Sequence, residues 1–398
     1  MKKVFSLDMK YSFTQVLYFG SFCALMGYAS VFLLDKGIST SVIGIILALT
    51  SVISVFTQPM IASFADKHKK IELRTIINVV LLIAIVLSVG LYFTHQIHAI
   101  ILCLFVAIAT LMTTIQPLLN SLAFVFEKYG IEINYGIARG LGSAAYALVS
   151  LAVGYLVEDI GSSYLPLIYI SFNILLVLVV HLYVVPKTHH VEIHNDEKND
   201  EKTSQQLTFI QFCKTYKKFM IMVLGIVAVF FTHTIINNFF IQVITPIKGT
   251  ESDMGVAVFL AAIVELPAMS LFNVIKRKVS CSTLIKFSVI MFAVKHTITF
   301  FATNMFMIYI AQACQFFAYA IIIPASVYYV NQIIKQEDAI KGQSMVPMAI
   351  TGSGIIANLV GGILLDTIGV HDVLMIGVGV SILGAFIVIF STQTTQKG

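Results

Sequence analysis

Apart from one polar stretch, Lys187 to Gln206, this chain is apolar nearly from end to end, and that stretch divides it into two halves of about equal length. A helix needs roughly 20 apolar residues to cross about 30 Å of hydrocarbon. Runs of that length recur between short polar breaks throughout both halves. A water-soluble core has no use for 58% hydrophobic and 11% charged residues at a mean hydropathy of +0.92. The chain therefore reads as a multi-spanning membrane protein.

Twelve spans are expected, six per half: 11–34, 41–64, 71–94, 97–127, 134–158 and 163–186, then 216–246, 252–275, 281–302, 304–332, 340–366 and 370–391. Ten-residue alternating strands are absent, and a barrel's lumen-facing polar positions would lower the hydropathy, so helices and not strands are predicted. The polar start Met1-Lys2-Lys3, with no small-residue cleavage site behind the first span, reads as the start of a retained helix. The organisation is thus a six-helix bundle over 1–186, a cytoplasmic linker over 187–215 and a second six-helix bundle over 216–398.

Lysine and arginine give the orientation. Of the 25, only Lys36 and Lys248 fall in the loops assigned to the outside, Arg139 and Lys295 lie inside spans, and the other 21 lie on the opposite side. Both termini and the linker are then cytoplasmic. The net charge of +5 follows from this topology and asks for no nucleic acid. The linker run from Asp196 to Lys202 reads as a solvated segment, and His189, His190 and His194 within it lack the Cys or fixed fourth ligand of a metal site. Cys23, Cys103 and Cys314 lie in spans and Cys213 and Cys281 face the cytoplasm, which predicts no disulfide. No nucleophile has a neighbouring base in the spans, so neither an enzyme nor a cofactor is expected.

Ionisable residues inside spans cost several kcal/mol and persist beside a partner or a wet cavity. Four stand out: Glu265, Lys295, Arg139 and His233. Glu265 lies about 15 Å from the inner end of the eighth span and Lys295 about 21 Å into the ninth. The two are placed to pair across neighbouring helices, either as a structural ion pair or as a substrate or proton site. Pro267 frees a backbone carbonyl beside Glu265. On the fifth span, Gly136, Arg139, Gly140, Ser143, Tyr146 and Ser150 share one face by 3-, 4- and 7-residue spacing. Small residues there permit close helix contact. A guanidinium with a ring beyond it also suits a polyhydroxylated ligand, because Arg forks two hydrogen bonds and Tyr146 offers a face to a sugar's C–H surface. His233 with Asn237, Gln116 with Asn120, and Gln312 with Gln315 and Tyr319 are further polar sets within spans. Each alone is an ordinary interhelical hydrogen bond; together they predict a polar interior.

Met26-Gly27, Gly44-Ile45-Ile46, Ala48, Ser51, Ser54, Gln58-Pro59, Asp66-Lys67, the Asn134–Tyr146 segment, Glu265, Lys341-Gly342-Gln343 and the segment from Gly361 to Gly369 carry a resemblance over almost the whole chain. They resemble the oligosaccharide:proton symporter (lactose permease-like) family of the major facilitator superfamily. The resemblance implies an all-α membrane protein with twelve transmembrane helices in two pseudo-symmetric six-helix bundles. It implies a secondary active transporter in the plasma (inner) membrane, a monomer taking up a sugar with protons by alternating access. Arg139 then stands at the family's sugar-binding arginine, Tyr146 at its stacking ring, Glu265 at the acid that bonds sugar hydroxyls, and Lys295 at an arginine that assists proton release. Ser143, Asn120, His233, Asn237 and Gln315 complete the expected solute site, and Glu265, Lys295 and His233 the expected proton-coupling set. Asp66, Lys67 and Lys70, with Lys69 and with Arg277 in the equivalent loop of the second half, are the expected gate; the basic residues among them equally fit topology and attraction to anionic lipid.

The chain also departs from the family. Ala318 and Gln315 stand where the family has its coupling carboxylate and histidine, the acid partnering the arginine is replaced by the neighbourhood of Asn120, Ser121 and Ala123, and a helix-seven to helix-eleven Asp/Lys pair becomes His233 and Ile350. A carrier of nucleosides or aromatic acids, or a multidrug exporter with its Met and Phe in a greasy cavity, remains open beside the sugar reading.

Overall fold

The computed structural model describes residues 2–68, 70–94, 97–126, 133–183 and 207–395. Lys69, the linker up to Gln206 and its three histidines lie outside them. Every described element is helical: α1 (Lys2–Phe22), a π turn (Cys23–Gly27), α2 (Ala29–Asp35), α3 (Thr40–Lys67), α4 (Leu73–Phe93), α5 (His98–Val125), α6 (Tyr135–Ile160) and α7 (Leu165–His181), then α8 (Phe209–Thr215), α9 (Lys217–Asn238), α10 (Phe240–Ile244), α11 (Glu251–Lys276), α12 (Cys281–Phe300), α13 (Met305–Ala313), α14 (Tyr319–Ile333), α15 (Ala339–Thr367) and α16 (Gly369–Ser391). Among the described residues, eleven helices are long and apolar enough to cross a membrane, and α1 with α2, bent by 43°, makes the twelfth when taken as one span.

Helix ends are set by side chains that take up backbone donors left over at each N-terminus. Asn134 accepts from the Ile137 N–H at 3.1 Å ahead of α6. Thr250 and Asp253 form a capping box ahead of α11. Gly161, at φ 91°, ends α6 in a conformation that a residue with a Cβ adopts only under strain.

Chain contacts divide the molecule into two units, one of Met1–Ser39 and Leu49–Asp200, the other of Thr40–Ala48 and Glu201–Gly398. In unit 1, α1 packs on α6 and α7, and α4 on α5 and α7. In unit 2, α9 packs on α15 and α16, α12 on α14 and α16, and α11 on α13 and α14. The first turns of α3 belong to unit 2, where they meet α15: the Ser41 N–H donates to Asp366 Oδ2 at 2.6 Å, and a Cβ on Gly44 would fall 2.2 Å from the Asn358 carbonyl oxygen.

Three spans expected to be continuous are broken. The first bends at the π turn before Tyr28, whose hydroxyl donates to the Ser150 carbonyl at 2.6 Å. The seventh breaks at Phe239, just after Asn238, whose side chain donates to Asn358 Oδ1 at 2.6 Å. The tenth passes from α13 through a 3-10 turn (Cys314–Phe316) before α14 begins. Hydrocarbon supplies no hydrogen bonds, so a broken helix needs repair from neighbouring side chains. At the tenth span Ser288 of α12 does this, donating to the Ala318 carbonyl.

A close helix contact between α9 and α16 is also built on glycine. A Cβ on Gly225 of α9 would lie 2.9 Å from the Gly384 carbonyl oxygen, and one on Gly384 of α16 would lie 2.7 Å from the Gly225 carbonyl oxygen. Backbone approaches backbone there, with Val388 and Ile387 packed beside Gly225 and Ala228 and Val229 beside Gly384. Gly225→Ala is expected to cost about 1–3 kcal/mol by overpacking, seen as a lower thermal midpoint in detergent. An unchanged midpoint would refute the contact.

Candidate functional site

The ionisable residues inside the spans gather in one polar cluster in each unit, beside smaller hydroxyl pairs such as Ser54–Thr113 and Thr57–Thr114. In unit 1 the cluster is built on α6, whose cap at Asn134 places Arg139 near the helix start. The Arg139 guanidinium lies over the Phe19 ring of α1, 4.1 Å from its centroid, and its Nη1 donates to Ser143 Oγ at 2.8 Å. A guanidinium is weakly hydrated and planar, so an aromatic face is a good support for it in a low-dielectric interior. Also on α1, Gln15 Nε2 donates to the Tyr11 hydroxyl at 2.8 Å and reaches Asn120 Oδ1 of α5 at 3.5 Å. Tyr146, two turns beyond Arg139, sets its hydroxyl against the π turn: a Cβ on Gly27 would stand 2.9 Å from that oxygen. Of the expected stripe, Arg139 and Ser143 are joined directly, Phe19 of α1 supports the guanidinium, and Tyr146 meets the π turn instead.

The unit 2 cluster joins α9, α11, α12, α16 and the 3-10 turn of the tenth span. Lys295 and His296 of α12 are both 0% exposed, Gln315 of the 3-10 turn 5% and His233 of α9 4%. Lys295 Nζ donates to Gln315 Oε1 at 2.6 Å, and Gln315 Nε2 donates to Glu265 Oε1 of α11 at 3.0 Å. The direct Glu265–Lys295 pairing anticipated from span depths is thus relayed through an amide. A glutamine suits that position because its carbonyl accepts from the ammonium while its NH2 donates to the carboxylate. The 3-10 turn carries Gln315 into this position.

His233 stacks near Tyr319 of α14, with centroids 5.9 Å apart, and its Nε2 accepts from Asn237 Nδ2 at 3.0 Å. Asn237 itself is exposed. His296 turns away from Gln315 toward α16, where Nδ1 lies 2.8 Å from Ser381 Oγ. Asp66 and Lys67 end α3, Lys70 follows it, Arg277 caps the end of α11, and all four are exposed. The neighbouring Lys276 Nζ sits 3.6 Å over the Tyr328 ring.

Sequence reasoning missed Phe19, Gln15, His296 and Ser381. For His296 a signal was present, since it is an imidazole in mid-span beside Lys295. For Phe19 and Ser381 there was none, because one Phe among 30 and a span serine are ordinary in such a chain.

A family model described as the MFS_1 like family matches residues 9–376. The maltose permease of Geobacillus stearothermophilus is 24% identical over 361 residues, which cover 88% of this chain and 86% of that protein. Solved structures of the nucleoside transporter NupG share the fold, with a TM-score of 0.81 for a single-site variant at 12% identity, over 97% of this chain and 100% of that one. A bacterial homologue of the human lysosomal transporter Spinster, in an inward-facing and occupied conformation, superposes with a TM-score of 0.67 at 13% identity, over 98% and 97% of the two chains.

The relay yields a stability prediction. Gln315→Leu leaves the buried Lys295 ammonium without its amide partner and is expected to destabilise by about 1–3 kcal/mol. Adding Lys295→Met should recover most of that loss in thermal melts of the detergent-solubilised protein. A double variant as unstable as the single one would show that the amide does not serve the ammonium.

Proposed function

We propose, for a chain that belongs to the MFS_1 like family of the major facilitator superfamily, that this membrane transporter takes up a sugar or oligosaccharide together with protons. The observation that carries the solute half is the Arg139 cluster. Ser143 takes one of the guanidinium donors, Phe19 supports the plane from one side, α1 and α5 contribute the Gln15–Asn120 pair, and Tyr146 lies two turns further along α6. A planar fork of donors with amides and a ring beside it is chemistry for vicinal hydroxyls on a sugar ring. The relation to a maltose permease over most of the chain supports the same class.

The proton half rests on Glu265, half-buried at the end of the Gln315 relay from Lys295. A carboxyl that shares an amide with an ammonium exchanges protons according to how closely the ammonium approaches. His233 and Asn237 extend this polar surface along α9. The two halves, 1–186 and 216–398, joined by the linker 187–215, act by alternating access in the plasma membrane, with both termini cytoplasmic and the protein a monomer. Asp66, Lys67 and Lys70 with Arg277 form the gate on the cytoplasmic side.

A nucleoside is the second reading. The fold likeness to NupG supports it, and an arginine fork binds ribose hydroxyls by the same geometry that binds a hexose.

Counterflow in proteoliposomes separates the two, since exchange needs no proton coupling. Labelled maltose, lactose, melibiose, sucrose and raffinose are followed in turn, with uridine beside them. Overshoot with a sugar is expected; overshoot with uridine alone would give the nucleoside reading. Arg139→Lys, which keeps the charge and loses the fork, should slow exchange about tenfold or more. Glu265→Gln should abolish uphill accumulation and leave exchange in place; accumulation that survives would remove Glu265 from the proton path. Asp66→Ala should slow entry with solute affinity nearly unchanged, and a large affinity loss would count against a gating role.

A further inference from the structure

Two imidazoles in unit 2 each end on a nitrogen that no described residue satisfies. Asn237 donates to His233 Nε2, so the neutral His233 ring carries its proton on Nδ1, and that nitrogen is buried with no hydrogen-bond partner. His296 meets Ser381 through Nδ1, and its Nε2 is likewise buried and without a partner. The two rings lie 6.1 Å apart between centroids, inclined by 31°. Buried polar atoms in folded proteins are nearly always paired, and an ionisable pair in a membrane span is commonly a site. Phe292 closes the apolar side of both rings, at 5.0 Å from His233 and 5.8 Å from His296.

We propose that His233 and His296 are a coupled pair in which His296 takes up one proton, and that this pair carries the coupled ion through unit 2. The proposal rests on the proton-coupled reading above and moves the proton's resting place away from Glu265 alone. When Ser381 Oγ accepts from His296 Nδ1–H, the His296 Nε2 lone pair takes the incoming proton, while His233 Nδ1 keeps its own, so a charge on one ring raises the cost of charging the other. The only bond formed is N–H, and on release the same proton leaves. Ser381 is a positioning residue, holding the tautomer in which Nε2 is basic.

The surroundings limit the pair to one charge. Lys295 adjoins His296 on α12, Cys314 and Gln315 come from the 3-10 turn, and Glu265 of α11 is reached through Gln315. Tyr319 comes from α14 against His233, and Tyr309 belongs to α13. From α16 the facing group is Ser381, while His371 and Asp372 lie at that helix's start; α15 carries Lys341 and Asp366 toward its two ends. Groups this close gain and lose protons as a unit. A pair already beside an ammonium takes up a second proton only at a high cost, which makes it a one-proton device.

The test is a histidine-labelled NMR titration of the full chain in phosphatidylcholine nanodiscs, from about pH 5 to about pH 9. A ring-to-ring through-space correlation identifies the pair in the wild type without any variant. The expected result is that these two signals titrate with linked midpoints, and that His296→Asn moves the His233 midpoint by about one pH unit or more, a tenfold change in proton affinity. Ser381→Ala, which leaves both rings in place, should move the His296 midpoint as well and serves if His296→Asn does not fold. Independent titration, or no correlation between two rings, overturns the proposal.

Transport separates this failure from failure of the proton-coupled reading. Entry of labelled maltose and uridine under an inward-acid gradient is compared with counterflow of the same solute. Loss of gradient-driven entry in His296→Asn with counterflow retained is the expected result. Gradient-driven entry that survives in the variant overturns the pair's role and leaves the coupled reading standing. Wild-type entry that ignores the gradient overturns both.

Discussion

Hydrocarbon offers no hydrogen bonds, and the interior of this protein is organised around that lack. A backbone that must cross it stays helical, and where the helix breaks some side chain has to replace the missing ladder. The breaks are therefore the places where polar side chains gather. Tyr28 bonds to the fifth span at the bend of the first, and Asn238 to the eleventh at the break of the seventh. Ser288 reaches the tenth where its 3-10 turn ends. Two of these breaks adjoin the candidate sites. The π turn faces Tyr146, and the 3-10 turn carries Gln315.

The same lack of hydrogen bonds explains how charge is held. Neither Arg139 nor Lys295 relies on a carboxylate in direct contact as its recorded partner. The guanidinium rests on Phe19 and Ser143, and the ammonium on the Gln315 amide. Neutral partners of this kind cost less to desolvate than a second ion, and they leave the charge free to answer a solute or a proton. Unit 1 therefore presents a fixed cation with aromatic and amide neighbours. Unit 2 presents a chain of groups able to exchange protons.

The fold was largely legible in the sequence, because apolar length and the placement of Lys and Arg are one-dimensional signals. Helix class, span number and the polar stripe on α6 follow from counting along the chain. What counting misses is anything decided between helices. Glu265 and Lys295 looked like direct partners because their depths agree, yet depth says nothing about an amide interposed from a third helix. Asn120 was visible as a polar residue, but its partner Gln15 lies more than a hundred residues away. The break of the tenth span was invisible, since nothing in Cys314-Gln315-Phe316-Phe317-Ala318 is the glycine or proline that usually marks a break, whereas Gly27 stands in the first break and Asn237-Asn238 just ahead of the seventh.

The glycine contact between α9 and α16 has a mechanical consequence. With each carbonyl seated against the other helix's glycine, and Ala228, Val229, Ile387 and Val388 filling the space beside them, the two helices interlock and resist slipping in register. His233 rides on one and Ser381 on the other, so both are fixed points of a single rigid rail. α12, which carries Lys295 and His296 together, packs beside that rail through ordinary side chains. Rotation or sliding of α12 is then the soft coordinate of unit 2, and one small displacement along it would change the ammonium's distance from Gln315 and the imidazole's from Ser381 in the same stroke.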